Sequence, residues 1–268
     1  MGRILAFPTA LTAKKRNAEA ARRFVPLFTC TETVKGSWIF MKQLLKNKRE
    51  LPECALTLVL ALLCNVLAYY GARLLAASWH HTDLTTPIDE LIPFLPWTIS
   101  IYWGCYLFWG VNYSLSALQS RAERNRFFCA DILARLVCFV FFLLLPTTNI
   151  RPEVTGVTVW DELMRMLYSI DSADNLFPSI HCLASWICWI GVRRRKDIPA
   201  VYRHFSLIFA LLVCVSTVTT KQHVIVDVFG GVLLAEICYM IAGIPVIHAA
   251  FSKFIDFLCR VRHIRSKA

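Results

Sequence analysis

Negative charge is what this 268-residue chain lacks most. It holds 18 Asp+Glu against 29 Lys+Arg, for a formal net charge of +11, and only 18% of its residues are charged. An ordinary soluble domain is about a quarter charged. The apolar residues make up 57% of the chain and fall in long blocks, which excludes a disordered chain, a coiled coil and an ordinary soluble globule. Other absences narrow the field further. The eleven cysteines include no CxxC pair and no close Cys/His cluster, so neither a disulfide framework nor a zinc site is expected. Most of them lie in apolar runs, where a free Cys acts as a small hydrophobe. The first apolar stretch, 4–11, is broken by Pro8 and followed by Lys14-Lys15-Arg16, a poor signal peptide. The first long run, from Cys54, is expected to act as an uncleaved anchor. No internal repeat and no low-complexity tract is present.

What is there reads as membrane. A bilayer core about 30 Å thick needs about 20 apolar residues per helix. Six segments qualify, at about 54–76, 94–115, 127–145, 179–192, 205–219 and 224–244. With six spans, most of the 29 basic residues gather on one side: the N-terminal 53 residues, Arg121 to Arg126, Arg193 to Arg203, and the segment after Lys253. The positive-inside rule then puts both termini in the cytoplasm, and an odd number of spans would split these clusters. The fold expected is an all-α integral membrane bundle. Residues 1–53 form a basic cytoplasmic segment, 54–247 the six-span domain and 248–268 a basic cytoplasmic tail. Val34, Trp38, Met41 and Leu45 recur at 4, 3, 4 spacing opposite Lys35, Lys42, Lys46 and Arg49. That pattern suits a basic amphipathic helix on the inner leaflet or one docked on the bundle. In the outer loop after the third span, Trp160, Leu163, Met164 and Leu167 predict a short interfacial helix. The +11 balance orients the protein, and no nucleic-acid partner is expected.

Three polar clusters meet at the outer ends of the last four spans: Arg151-Pro152, Phe177-Pro178-Ser179-Ile180-His181, and Lys221-Gln222-His223 through Asp227. At i and i+4, His223 and Asp227 share one helix face. A carboxylate on one imidazole nitrogen fixes the tautomer and frees the other nitrogen as base or nucleophile. Asp227 falls about one turn into an otherwise apolar helix, where a carboxylate is costly unless it has a role. The alternative is a structural polar pair. His181 follows Pro178-Ser179 at a helix start, where free amides favour an anion and an imidazole can protonate a leaving oxygen. Arg151 and Lys221 are two of the few outer cations, either interfacial anchors or phosphate ligands. Two His and one Asp could supply zinc ligands, but no HExxH motif occurs and the nearby Lys and Arg oppose a cation, so no metal is expected. Asp131 and Arg135, at i and i+4, are expected to pair. Arg135 and Glu236 fall at similar depths, so a structural contact between them fits the layout.

Pro178-Ser179-Ile180-His181, His223-x-x-x-Asp227 and Arg151-Pro152 together resemble the type 2 phosphatidic acid phosphatase superfamily, whose pattern is KxxxxxxRP, PSGH and SRxxxxxHxxxD. The resemblance covers about residues 147–231, and the six-span layout agrees with it. It implies that His223 attacks phosphorus and becomes a phosphohistidine, that Asp227 orients it and that His181 protonates the leaving alcohol. Arg151 and Ser179 would hold phosphoryl oxygens, with no metal or cofactor. The chain departs from the pattern at Leu144 (Lys in the family), Ile180 (Gly) and Thr217 (Arg), while Ser216 is kept. Two of three expected cations are missing, and Lys221 is a candidate replacement for one.

The function expected is hydrolysis of a lipid phosphate ester drawn from the bilayer, at the extracytoplasmic face. The shortage of cations also suits a less charged substrate, as in the branch resembling sphingomyelin synthase and inositol phosphorylceramide synthase, where a phospho-headgroup passes to an alcohol acceptor. A proton-coupled transporter or flippase is the alternative from another class, although repeated halves and midplane helix breaks are absent. A pure scaffold does not explain the convergence of the three motifs.

Overall fold

The computed structural model describes residues 51–265, with side chains to residue 260. The amphipathic helix expected around Val34 to Leu45 lies outside the described residues. The described chain is almost wholly helical. The elements are α1 (Leu51–Ala76), α2 (Pro87–Leu91), α3 (Ile99–Ala117), α4 (Arg121–Leu144), α5 (Val159–Ile170), α6 (Ile180–Val192), α7 (Ala200–Thr219), α8 (Ile225–Ala242) and α9 (Pro245–Arg265). Two short strands, β1 (Thr82–Asp83) and β2 (Thr147–Thr148), pair in parallel.

Four helices, α1, α4, α7 and α8, are long and apolar enough to cross a membrane. At 1.5 Å per residue the 24-residue α4 reaches about 36 Å. The helix α3 is long, with 19 residues, but Tyr and Trp replace much of its aliphatic content. The helix α6 has 13 residues and spans only about 20 Å. Its surroundings explain how so short a helix is accommodated. It packs against α3, α4, α7 and α8, and Leu183, Ala184, Ile187 and Cys188 have no exposed surface. A helix enclosed by protein need not match the lipid thickness.

Local chemistry sets the helix starts. Ser120 caps α4 through the Glu123 amide, Thr158 and Asp161 form a capping box on α5, and Ser179 caps α6 through the Cys182 amide. The predicted interfacial segment is therefore a helix, α5. Pro199 stands at the N-cap of α7, which starts at Ala200, several residues before the apolar run itself.

The segment expected as a basic tail, 248–268, is helical up to Arg265: α9 runs from Pro245 to Arg265 and packs on α1, α4 and α8. Its Ile255 is fully buried, and the Asn125 amide donates to Ser252 Oγ at 3.0 Å. Arg135 does pair with Asp131, at 3.3 Å, but it does not meet Glu236. Arg135 also donates to Asn65 Oδ1 of α1 at 2.8 Å. Glu236 faces the end of α6, where it accepts from Arg193 at 3.0 Å and from the Trp186 indole at 3.0 Å. Similar depth does not bring together residues on helix faces turned to different neighbours.

The N-terminal turns of α6 and α8 touch through backbone. The Ser179 amide donates to the Asp227 carbonyl at 3.0 Å. A Cβ on Gly231 would fall far inside contact distance of the Ser179 carbonyl oxygen and press on the Leu183 amide. Gly231→Ala is expected to destabilise the fold by about 1–3 kcal/mol through this overpacking. Gly110→Ala, which meets open space, is expected to be tolerated. Melting of both variants in detergent checks the pair.

Candidate functional site

The loop between α7 and α8 presents the central pair. α7 ends at Thr219, and Lys221 takes a left-handed conformation with φ 52°. The amides of Gln222 and His223 both return to the Thr217 carbonyl, at 3.0 and 3.1 Å. This turn brings His223 back over the first turn of α8. There His223 Nδ1 lies 3.2 Å from Asp227 Oδ2, and the same oxygen accepts from the Val224 amide at 3.1 Å. Asp227 is fully buried, and its Oδ1 has no partner. The pair thus leaves His223 Nε2 as the available ring nitrogen, the arrangement that suits a base or nucleophile.

His223 and His181 line one cavity of about 460 Å³. Their ring centroids are 6.1 Å apart. Behind His181, the Tyr102 ring stacks at 4.4 Å, and its hydroxyl lies 3.4 Å from His181 Nδ1. A hydroxyl donating to Nδ1 leaves the ring proton on Nε2, which is buried and without a protein partner. Trp103, Tyr106 and Trp109 of α3 add further wall. On α1, a π-helical stretch, Leu67–Gly71, brings Tyr69 and Tyr70 to the opposite wall. The Tyr69 hydroxyl donates to the Asp171 carboxylate, and Arg73 pairs with Asp174 at 3.1 Å. Burial pushes the Asp174 carboxyl above the usual carboxylate range, with Arg73 opposing.

The remaining predicted residues stand outside the lining. Ser179 is fully buried, and its hydroxyl accepts from the Cys182 amide at 3.3 Å, so it starts α6. Arg151 donates to the carbonyls of Asp171 and Ser172 and to Gln222 Oε1, the last at 2.8 Å. Three of its five N–H donors therefore build the cavity wall, and its Nε has no partner. Its guanidinium lies 5.0 Å from the centroid of the Tyr168 ring. Burial pushes the Tyr168 phenol up to about 12, with Arg151 opposing. The phenol therefore keeps its proton at neutral pH and donates to the Thr220 carbonyl at 2.8 Å. Lys221 turns away from the cavity. Its ammonium donates to the carbonyls of Asp89 and Ile92, at 2.8 and 2.6 Å, so the structure places this expected substrate ligand outside the lining, with its side chain toward α2.

Sequence reasoning missed Tyr102, Gln222 and the α3 wall. A signal for the wall was present, because Tyr102, Tyr106, Trp109 and Tyr113 recur at 4, 3, 4 spacing. Gln222 had no such signal; it is 1% exposed because the turn faces it to Arg151. Among the described residues, no group of three or more His, Cys, Asp or Glu could hold a metal ion.

A stretch of 81 residues, 30% of the chain, is 37% identical to an uncharacterized protein of Methanocaldococcus jannaschii, covering 31% of that protein. The chain thus matches about a third of that relative's length. No family model matches the chain, and no solved structure matches it.

Arg151→Lys keeps the charge but cannot reach three acceptors in two directions. It is expected to lower stability by about 1–3 kcal/mol, read as an earlier melt in detergent, with faster proteolysis of the 171–175 segment.

Proposed function

We propose that this protein is a membrane-embedded enzyme that cleaves a lipid phosphate ester through a phosphohistidine. The observation that carries the reading is the His223–Asp227 pair, 3.2 Å apart, facing His181 across one cavity at 6.1 Å between rings. In this reading His223 Nε2 attacks phosphorus while Asp227 stabilises the ring as it becomes cationic. The bond from phosphorus to the lipid oxygen breaks, and His181, protonated on both ring nitrogens beside the bound phosphate anion, gives that oxygen its Nε2 proton and becomes neutral. A water then attacks the phosphohistidine, returns a proton to His181 and releases phosphate from His223. No metal takes part in these steps. The resemblance to the type 2 phosphatidic acid phosphatase superfamily adds to the reading over residues 147–231.

The membrane layout belongs to the same proposal. The helices α1, α3, α4, α6, α7 and α8 overlap the six expected spans, and four of them are long and apolar enough to cross a membrane. Two of the basic clusters lie at the end of the bundle away from His181 and His223: Arg121 pairs with Glu53 at the start of α1, at 2.9 Å, and Arg195 donates to the Leu115 carbonyl at the end of α3, at 2.8 Å. Both termini are then cytoplasmic and the cavity opens at the other face.

A second reading, transfer of a phospho-headgroup to a lipid alcohol instead of water, is favoured by one observation. Among the described residues no Lys or Arg lines the cavity, whereas Asp171 and Asp174 do. Leu144, which stands where the family has Lys, is 79% exposed, and Thr217, in place of Arg, is buried and donates to the Cys214 carbonyl at 2.8 Å. Such a site suits a phosphodiester better than a phosphate dianion.

His223→Ala is expected to abolish turnover of a lipid phosphate, while EDTA leaves the wild type unchanged. A radiolabelled phosphoryl group should be trapped on the wild-type protein and not on the variant; failure to trap it during turnover would remove the phosphohistidine from the mechanism. Tyr102→Phe should slow turnover by about tenfold, less than the loss of a general acid itself, by releasing the His181 ring. An unchanged rate would exclude that role.

A further inference from the structure

Asp89 belongs to none of the sequence motifs and does not line the cavity. It sits on α2 with only 5% of its surface exposed, and its two carboxylate oxygens serve two segments, one local and one distant. Oδ2 accepts from the amide and hydroxyl of Thr86, at 2.9 and 2.5 Å. Oδ1 accepts from the Ile225 amide at 2.7 Å, the first residue of α8 and two positions beyond His223. The main chain of the same segment holds Lys221, whose ammonium donates to the carbonyls of Asp89 and Ile92. Further along, the Leu95 amide donates to the Thr219 carbonyl at 2.9 Å, and the Thr98 and Thr219 hydroxyls lie 2.9 Å apart. Residues 86–98 therefore grip the α7–α8 loop at Thr219, Lys221 and Ile225. His223 is flanked by held residues on both sides.

We propose that Asp89 and Lys221 are positioning residues, forming with residues 86–98 an external clamp that fixes His223 Nε2 in its aim across the cavity at His181. The proposal rests on the reading of His223 as nucleophile. A loop with a left-handed residue at Lys221 has little intrinsic preference for one shape. The clamp supplies that preference from outside the cavity, so it can set geometry without touching substrate. The carboxylate at the first amides of α8 also matches the positive end of the helix dipole. Burial works against the charged form of Asp89, but the Thr86 bonds, the Ile225 amide and Lys221 together hold its carboxyl below the usual carboxylate value. Its contribution is therefore complete at neutral pH and is lost only as pH falls through and below the carboxylate range.

The test uses the full chain and a short-chain phosphatidic acid as probe. Asp89→Ala is expected to lower kcat by about tenfold to a hundredfold, the scale of a misplacement near 1 Å, with KM unchanged. Asp89→Asn, which keeps an oxygen for the Ile225 amide, should recover most of the loss. Hydrogen exchange of the amides at 222–225 should speed up in Asp89→Ala. If Asp89→Ala does not fold, Lys221→Met, which removes only the two ammonium bonds, carries the same expectation for kcat and exchange. Wild-type kcat in these variants, or a loss confined to KM, overturns the clamp. His223→Ala is the control for the underlying reading: activity retained there sinks the nucleophile assignment, whereas an inactive His223→Ala beside wild-type clamp variants sinks only the clamp.

Discussion

One backbone hydrogen bond, from the Ser179 amide to the Asp227 carbonyl at 3.0 Å, sets the distance on which the site depends. His181 follows Ser179 by two residues, and His223 precedes Asp227 by one helical turn. Fixing Ser179 against Asp227 therefore fixes the two imidazoles against each other. The bond forms because Gly231 has no side chain to hold α6 away. A buried amide left without an acceptor would be costly, so the close approach and the bond support each other. The short, enclosed α6 follows from the same constraint. It must start beside Asp227, deep among its neighbours, and it is packed on enough sides to need no lipid contact.

The cations show how this site differs from the pattern it resembles. Arg151 bonds mainly to carbonyl oxygens of the loop that lines the cavity, and Lys221 to carbonyls at 89 and 92, outside it. Guanidinium and ammonium groups satisfy several carbonyls at once, which irregular loops otherwise leave bare. The same residues that anchor the loops are thus less available to an anion. The lining that remains is aromatic and mildly acidic. In the proposed enzyme, the phosphoryl group would be stabilised chiefly by the histidines and backbone dipoles, and much of the cavity would face the rest of the substrate.

Much of the fold was legible because its signals are periodic. Six apolar runs became six helices, and Ser179 marked a start that the structure uses. The boundaries drifted where an apolar run and a helix are different things. α7 begins at Ala200 because Pro199 opens the helix, although Arg203 and His204 are polar. α9 was hidden because its charged residues masked Ile255 and Phe251 at helical spacing. At the site, the i, i+4 relation of His223 and Asp227 was local and therefore readable. The roles of Arg151, Lys221 and Asp89 depend on contacts across long stretches of chain, such as the 136 residues between Asp89 and Ile225, and no local pattern encodes such a partner. A weak signal for Asp89 did exist, since Thr86-Pro87-Ile88-Asp89 has capping-box spacing. Such spacing can mark only the start of α2, not the second oxygen's reach to α8.

The ion pair inside the bundle is tied to the cavity by a similar economy. Arg135 bonds Asp131, the Tyr113 hydroxyl and Asn65 at once, and Asn65 lines the cavity. A buried pair of this kind gains little net stability over an apolar one, because desolvation offsets attraction. Breaking it is a different matter, because a single uncompensated charge would remain in an apolar surround. The pair therefore makes the relative placement of α1, α3 and α4 discriminating rather than merely stable. Asn65 lies just before the π-helical stretch that turns Tyr69 and Tyr70 toward the cavity. With its side chain held by Arg135, the helical phase of α1 is set at that point, and the extra residue of the π turn redirects the aromatic pair from a fixed origin. The aromatic wall thus depends on a polar cluster one turn away.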